Sequence, residues 1–257
     1  MPRQRHTPAG SWTHMLGVAA VVIAICGLAA LVDIDPPATH TERNAAMKSE
    51  PEPSAARVIA VTTPRAAPAS EPDCLEALRR AGVPFRAIPD RSAEGVAWPI
   101  TLTGPVDGVR VHGDAHDTEG SYLDCKLALA ILAWAPQLRA QGVVGLQHYS
   151  MYRHDAVVAG GAKQSGHASG LALDVASLEL SDGRKLRVLE DWQPRTRGAD
   201  PCADYAQASA NARALRAIVC DAIERALFQT VITPHYNDAH ANHVHMEIGP
   251  PDRTFVH

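Results

Sequence analysis

The chain has 257 residues, enough for one ordinary domain or two small ones with a substantial core. It carries 24 Lys and Arg against 28 Asp and Glu, and this net charge of −4 argues against nucleic-acid binding through a basic surface. An apolar content of 46% excludes a wholly disordered chain. The 13 His residues outnumber Tyr and Phe together, so the search for a functional site starts from their placement.

An uncharged apolar segment covers residues 15–32, with two Arg before it and two Asp after it. As a helix, a segment of this length spans about 27 Å, close to the roughly 30 Å thickness of a bilayer core. The charge asymmetry places residues 1–14 in the cytoplasm and the rest of the chain outside it. We therefore expect a signal anchor in a membrane, with the following domain on the non-cytoplasmic side.

A cleaved signal peptide is the alternative for this segment, and it would deliver the same domain to the same side of the membrane. Its apolar region is usually shorter and ends at a small-residue motif, and no A-x-A motif follows the segment here. Cys26 resembles a lipoprotein cysteine, but the bulky Ile25 before it argues against that processing.

Residues 33–72 are rich in Pro, Ala, Ser, Thr and Glu and contain only one short apolar patch. Such a stretch cannot bury enough surface to offset the entropy of ordering it. It predicts a disordered linker between the membrane and a domain over residues 73–257.

Four of the five cysteines lie in that domain: Cys74, Cys125, Cys202 and Cys220. In an oxidising compartment an even number of cysteines favours disulfides, and four allow three connectivities that spacing does not decide. If Cys202 and Cys220 pair, Cys202 must lie in a loop that folds back, because 18 residues of straight helix would separate them by about 27 Å.

The secondary-structure signals are mixed. Asp73 is expected to cap a helix that stops at Gly82, Ser121 and Asp124 to open a second helix that ends at Pro136, and a third helix to cover roughly residues 205–227. Seven short β-like runs lie between them: 100–102, 109–112, 143–149, 171–176, 186–189, 230–232 and 243–248. Since helices and strands do not alternate regularly, we expect an α+β domain with a small, mainly antiparallel sheet and flanking helices.

The side chains that could bind a metal or transfer a proton concentrate in two segments, 165–174 (SGHASGLALD) and 240–247 (HANHVHME). Residues two apart in a strand point to one face, so His243 and His245 are expected on one side of the sheet. The same alternation places Asp174 opposite its apolar neighbours, where a buried carboxylate needs a cation.

If the two segments pair, His167, Asp174 and His245 offer two imidazoles and one carboxylate. This set suits Zn²⁺ and leaves one position for water, with His243 free to move a proton. Glu247 shares the face of the two histidines and is either a ligand or a neighbour that supports one. An isolated His-x-His is more often ordinary surface, so the prediction depends on the pairing.

These residues resemble a known group. Ser-x-His-x-x-Gly-x-Ala-x-Asp followed by His-x-His is similar to the LAS zinc peptidases, which include lysostaphin-type enzymes, D-Ala-D-Ala carboxypeptidases and Hedgehog-like domains. The spacing of His240, His243 and His245 resembles that of murein endopeptidases. Most of residues 73–249 resembles the bacterial extensin-like C-terminal domain family, through DCLEALRRAGVPF, CKLALAILAW, SGHASGLALDVASLELSDGRKLRVLEDW and TVITPHYNDAHANHVHMEI.

The resemblance implies His167, Asp174 and His245 as zinc ligands and places His243 near the catalytic water, as general base or as a group that stabilises the tetrahedral oxyanion. Ser165, His240 and Glu247 are expected as supporting neighbours. Because the family is bacterial, the anchor is expected in the inner membrane and the domain in the periplasm. A Ser-x-Tyr-Arg element at residues 150–153 replaces the Tyr-x-Cys-Arg usual in the family. Its Arg153 would orient a substrate carboxylate or the developing oxyanion, and Tyr152 would pack. Asn242 stands where the family commonly has Asp. Beside this resemblance, the pairings Cys74–Cys125 and Cys202–Cys220 are expected.

The implied function is hydrolysis of peptide bonds in peptidoglycan stems or cross-links by a zinc peptidase. Two other functions stay open: a peptidoglycan-binding or scaffolding module that keeps the metal without turnover, and a disulfide-linked interaction domain without metal.

Overall fold

The computed structural model describes residues 70–113, 116–158, 163–203, 205–250 and 254–257. The predicted cytoplasmic residues 1–14, the anchor at 15–32 and nearly all of the 33–72 linker lie outside these ranges. Within the ranges, no helix combines the length and the apolar character needed to cross a bilayer.

Four α-helices form in the described residues: α1 (Glu71–Arg80), α2 (Cys125–Ala140), α3 (Val188–Asp191) and α4 (Ala210–Glu224). Each of the three longer helices begins at a side chain that accepts a hydrogen bond from a backbone N–H of its first turn. These capping residues are Ser70, Asp124 and Ser209.

Ten strands accompany the helices: β1 (Phe85–Ala87), β2 (Pro99–Leu102), β3 (Arg110–His112), β4 (Tyr122–Asp124), β5 (Val143–His148), β6 (Ala172–Leu180), β7 (Lys185–Arg187), β8 (Thr230–Ile232), β9 (Val244–Glu247) and β10 (Phe255–Val256). β1, β2 and β4 form a small antiparallel sheet. The larger sheet runs β10-β8-β9-β6-β5-β3, and only its two outermost pairs are parallel. The predicted α+β class with a mainly antiparallel sheet is confirmed.

Strand β6 is the centre of the larger sheet. One edge of β6 pairs with β5, and the other pairs with β9 in its first half and with β7 in its second half. Leu173 and Val175 belong to the main hydrophobic core, where Trp134 of α2 contacts Phe228 edge to face at 5.6 Å. The core therefore lies between the sheet and the helices, and Asp174 points away from it.

The helix ends differ from the predicted ones. α1 begins at Glu71 because Ser70, rather than Asp73, is its cap, and Pro72 in the first turn fixes a helical φ. The helix start predicted from Ser121 together with Asp124, as a capping box, is wrong. Residues 122–124 form a strand, and Asp124 alone caps α2. Pro136 does not end α2, because buried residues on both sides of it keep the helix packed to Ala140.

The predicted third helix is shortened to α4, because Ser209 caps it and the residues from 205 to 208 fold as turns. The run at 186–189 is divided, since Asp191 accepts a hydrogen bond from the N–H of Arg187 and helix α3 starts at Val188. The sequence did not predict β1, β4 or β10. These strands are only two or three residues long, too short to show the alternation of apolar and polar residues that marks a strand.

Both expected disulfides are confirmed. Cys74 of α1 is bonded to Cys125, the first residue of α2, with their Cα atoms 6.2 Å apart. Cys202 lies in a turn that folds back to Cys220 of α4, with a Cα separation of 5.6 Å.

Candidate metal centre

The pairing of β6 with β9 brings together the two segments, 165–174 and 240–247, that contain the predicted metal ligands. Asp174 lies directly opposite His245 in the register of these antiparallel strands. The short 3₁₀ turn of residues 166–169 precedes β6 and carries His167, whose side chain is completely buried. Its start is fixed by Ser165, whose Oγ accepts a hydrogen bond from the N–H of His167.

Three potential ligand atoms form a nearly equilateral triangle. His167 Nε2 lies 3.0 Å from Asp174 Oδ1 and 3.1 Å from His245 Nδ1, and the last two atoms are 3.0 Å apart. Ligand atoms of a tetrahedral zinc site with bonds of about 2.0–2.1 Å are separated by about 3.3–3.4 Å. The three residues therefore fit a zinc ion in both donor type and spacing. No other group of three such side chains in the described residues comes this close.

Each ligand histidine has a partner that fixes which nitrogen faces the triangle. The Nδ1 of His167 is 3.3 Å from the carbonyl oxygen of Met151, and the Nε2 of His245 is 3.2 Å from Glu247 Oε2. Because a carbonyl and a carboxylate only accept, these nitrogens carry the protons. In a metal-bound site the other nitrogen of each ring would present its lone pair to the triangle, whereas in the metal-free protein that nitrogen can carry a proton and donate to Asp174.

Glu247 also connects the two ligand-bearing segments. Its carboxylate lies near the backbone of Gly166, the neighbour of His167, and this backbone group helps the contact with His245 to lower the pKa of Glu247 against the effect of burial. A Cβ at Gly166 would lie only 2.5 Å from the carboxylate carbon of Glu247, so the lack of a side chain lets the carboxylate approach. Glu247 therefore supports a ligand, as the sequence allowed, and is not itself in the triangle.

Asp174 carries the negative charge of the centre. Its side chain is 3% exposed; Oδ1 faces the histidines and Oδ2 is 3.1 Å from Arg153 Nη1. Burial opposes its ionisation, but hydrogen bonds from His167 and His245 outweigh this and hold the pKa well below its usual range. Asp174 is thus a carboxylate that attracts a cation.

The pKa of His245 moves in the opposite direction. Burial alone would lower it, but the hydrogen bonds to Asp174 and Glu247 raise this pKa to about 9. A metal ion would compete with the proton on Nδ1 of this ring.

His243 lies beside the triangle with its side chain 14% exposed. Its Nδ1 is 2.8 Å from the Asn242 side-chain oxygen, which accepts, so Nε2 is left as a free base. Nε2 is 3.5 Å from Asp174 Oδ1, and burial lowers the pKa of the ring. The amide of Asn242 thus orients His243 without adding a charge.

His240 packs against both histidines of the His-x-His pair, with ring centroids 5.0 Å from His243 and 6.2 Å from His245. Its Nδ1 donates to Asn237 Oδ1 at 2.7 Å, and burial lowers its pKa to about 4. It therefore forms part of the wall and faces no ligand atom of the triangle within hydrogen-bonding distance.

Arg153 reaches the site through one guanidinium nitrogen, which also donates to Ser150 Oγ at 3.1 Å. About half of its side chain is exposed to solvent. Tyr152 is buried in a small cluster with Ile88, Ala93 and Val96, in agreement with the predicted packing role.

The sequence interpretation missed Ser150 and Met151, which contact Asp174 and His167. Their signal was available, since both follow β5, the strand beside the β6 strand that carries Asp174. Gly170 ends the turn that carries His167. Its φ is +62°, and a Cβ there would lie only 2.8 Å from the backbone nitrogen of Asp124, so the lack of a side chain lets the turn pack against β4.

Two other histidines stay outside the triangle. His148 is buried in β5, and burial lowers its pKa to about 4. His235 is near Arg216 and the carbonyl of Ala199.

Comparison with known proteins gives one match. The sequence model of the family described as Extensin-like protein C-terminus matches residues 72–254. No curated protein and no solved structure matches the chain.

Proposed function

We propose, from the premise that this chain belongs to the extensin-like protein C-terminus family, that it is a zinc-dependent peptidase of bacterial cell-wall peptides. It would hydrolyse peptide bonds in peptidoglycan stems or cross-links from the periplasmic side of the inner membrane. The resemblance of its two motifs to LAS zinc peptidases supports this assignment.

The observation that carries the proposal is the triangle of His167, Asp174 and His245 beside a free base on His243. Two imidazoles and one carboxylate, each with a partner that orients it, form the donor set of hydrolytic zinc sites. Three protein ligands leave a coordination position open, which structural zinc sites with four protein ligands do not.

When bound, zinc supplies Lewis acidity, lowering the pKa of water toward about 7 and polarising a carbonyl oxygen. His243 Nε2 is positioned to take a proton from the water that adds to the peptide carbon. The same ring can return this proton to the amine nitrogen as the C–N bond breaks, so that one water is divided between a new carboxylate and a new amine. The half-exposed side chain of Arg153 can hold a substrate carboxylate or the developing oxyanion.

Metal analysis combined with digestion of purified peptidoglycan tests the proposal. We expect one zinc per chain and new amine ends from the wild-type protein. His243→Ala should keep the zinc but cleave about 100-fold or more slowly, since general-base catalysis typically contributes that much. Asp174→Ala and His245→Ala should lose both zinc and cleavage. Cleavage that is unchanged in His243→Ala would show that the assigned base is wrong.

Two outcomes would favour other functions. A protein that holds zinc and sediments with the purified wall, yet releases no amine ends, would be a peptidoglycan-binding or scaffolding module. A purified domain without stoichiometric zinc would instead indicate a disulfide-linked interaction domain.

A further inference from the structure

Four aromatic rings form a continuous row beside the metal centre. The ring centroids of Tyr149 and His243 are 6.1 Å apart, those of His243 and His240 are 5.0 Å apart, and those of His240 and Tyr236 are 5.8 Å apart. We call these four side chains the aromatic ridge. The proposed base, His243, is the second ring of this row, and it is near Oδ1 of Asp174 whereas Arg153 contacts Oδ2.

Both ends of the ridge are open to solvent. Tyr149 is 48% exposed and Tyr236 is 38% exposed, more than any other Tyr, Phe or Trp in the described part of the chain. Phe255 and His257 pack behind Tyr236, with centroids 6.0 and 5.3 Å away, so its ring is supported from one side. Exposed rings next to a reactive centre are surfaces on which a ligand can stack.

Polar groups accompany the rings. The side-chain oxygens of Asn237 and Asn242 accept hydrogen bonds from His240 and His243. Neither amide nitrogen donates a hydrogen bond within the described residues, so both remain donors for a ligand. The ridge thus combines flat apolar faces with neutral hydrogen-bonding groups.

We propose that the aromatic ridge binds a pyranose ring of the glycan strand to which the peptide substrate is attached. This inference rests on the proposed function and names its substrate as a glycopeptide. A pyranose presents C–H groups on its faces and hydroxyls at its rim, which match the ridge's rings and amides. Its stacking needs no charge, which fits a chain whose net charge of −4 gives no general attraction to an anionic wall.

The reach of a stem peptide agrees with this placement. An extended stem of about three to five residues spans roughly 10–18 Å, at about 3.3–3.6 Å per residue. The Tyr149 ring is 6.1 Å from His243, and Tyr236 is two ring contacts beyond that histidine. A sugar on the ridge and a peptide bond near His243 can therefore belong to one molecule.

The test compares binding of a disaccharide-peptide with binding of the same peptide without sugar, using full-length, zinc-loaded protein. The measured quantity is the ratio of the two affinities, obtained by calorimetry with the amide bonds of both peptides reduced to methylene-amine bonds, so that neither ligand is hydrolysed and His243 stays in place. Tyr149→Ala and Tyr236→Ala should each lower this ratio about three- to ten-fold, the range expected for one aromatic contact. Tyr149→Phe and Tyr236→Phe should keep it, because they keep the ring.

Leu189→Ala is the matched control, since Leu189 is an exposed apolar side chain (49%) on α3 and no ring of the ridge. It should leave the ratio unchanged. Equal weakening of both ligands by the Tyr→Ala variants would show that the ridge binds peptide, and unchanged affinities for both ligands would show that it binds neither part. Both results overturn the proposal. A sugar-dependent ratio in a protein that never cleaves the wall would refute the peptidase while leaving the ridge assignment intact.

Discussion

Glu247→Gln should weaken zinc binding although Glu247 is not a ligand. The substitution keeps the shape of the side chain but removes the negative charge that faces His245 Nε2 at 3.2 Å and Gly166. An amide can present its NH₂ group to that ring nitrogen and so permit the tautomer whose proton lies on Nδ1, which cannot bind metal.

Loss of such a supporting partner typically costs 10- to 100-fold in metal affinity. The lower end applies to Glu247→Gln, because the amide oxygen can still accept one hydrogen bond. Glu247→Ala removes both contacts and should approach the upper end. Gly166→Ala should act in the same direction, since its new Cβ would lie 2.5 Å from the Glu247 carboxylate carbon and must displace it.

Competition with a zinc chelator measures these affinities directly and does not depend on catalysis. Glu179→Gln is the matched control, because Glu179 is also a strand glutamate, but its partner is Arg110. The control should bind zinc as the wild type does. If Glu247→Gln also binds like the wild type, orientation of His245 by Glu247 is refuted; if both variants lose affinity equally, the effect is one of general charge.

Two further predictions concern protons and disulfides. The pKa of about 9 for metal-free His245 means that this ring is protonated at pH 7.5, so zinc binding should release close to one proton there and tighten as pH rises toward 9. Calorimetry in buffers of different ionisation enthalpy measures the release, and a buffer-independent enthalpy would contradict it. Opening the α1–α2 disulfide with Cys125→Ser, which frees a loop of 51 residues, should cost about 4 kcal/mol of unfolding free energy on the chain-entropy model. Cys220→Ser, with a separation of 18, should cost about 3 kcal/mol, and denaturant unfolding that gives the reverse order would reject loop entropy as the cause.

The elements that sequence predicted well are those with a periodic apolar pattern or a distinctive spacing. The alternation of apolar residues in β6 correctly separates Asp174 from Leu173 and Val175, which lie in the core. The helix ends were less predictable, because caps depend on which hydroxyl or carboxylate reaches a free N–H. Ser70 and Asp73 are both good capping residues, and only the fold decides between them.

The features of the site that could not be predicted from the sequence depend on contacts between residues distant in the chain. The carbonyl of Met151 orients His167 from 16 positions away, and a backbone carbonyl has no signature in a sequence. Tyr149 looks like the end of a β-like run, and only the pairing of β5 with β6 places it against His243.

Motif spacing can therefore predict which atoms bind a metal, since metal chemistry restricts the residue types. The residues that orient those atoms or contact the rest of the substrate are less restricted, because many side chains can donate, accept or stack. For this reason the ligand triangle was visible in the sequence, whereas the aromatic ridge required the fold.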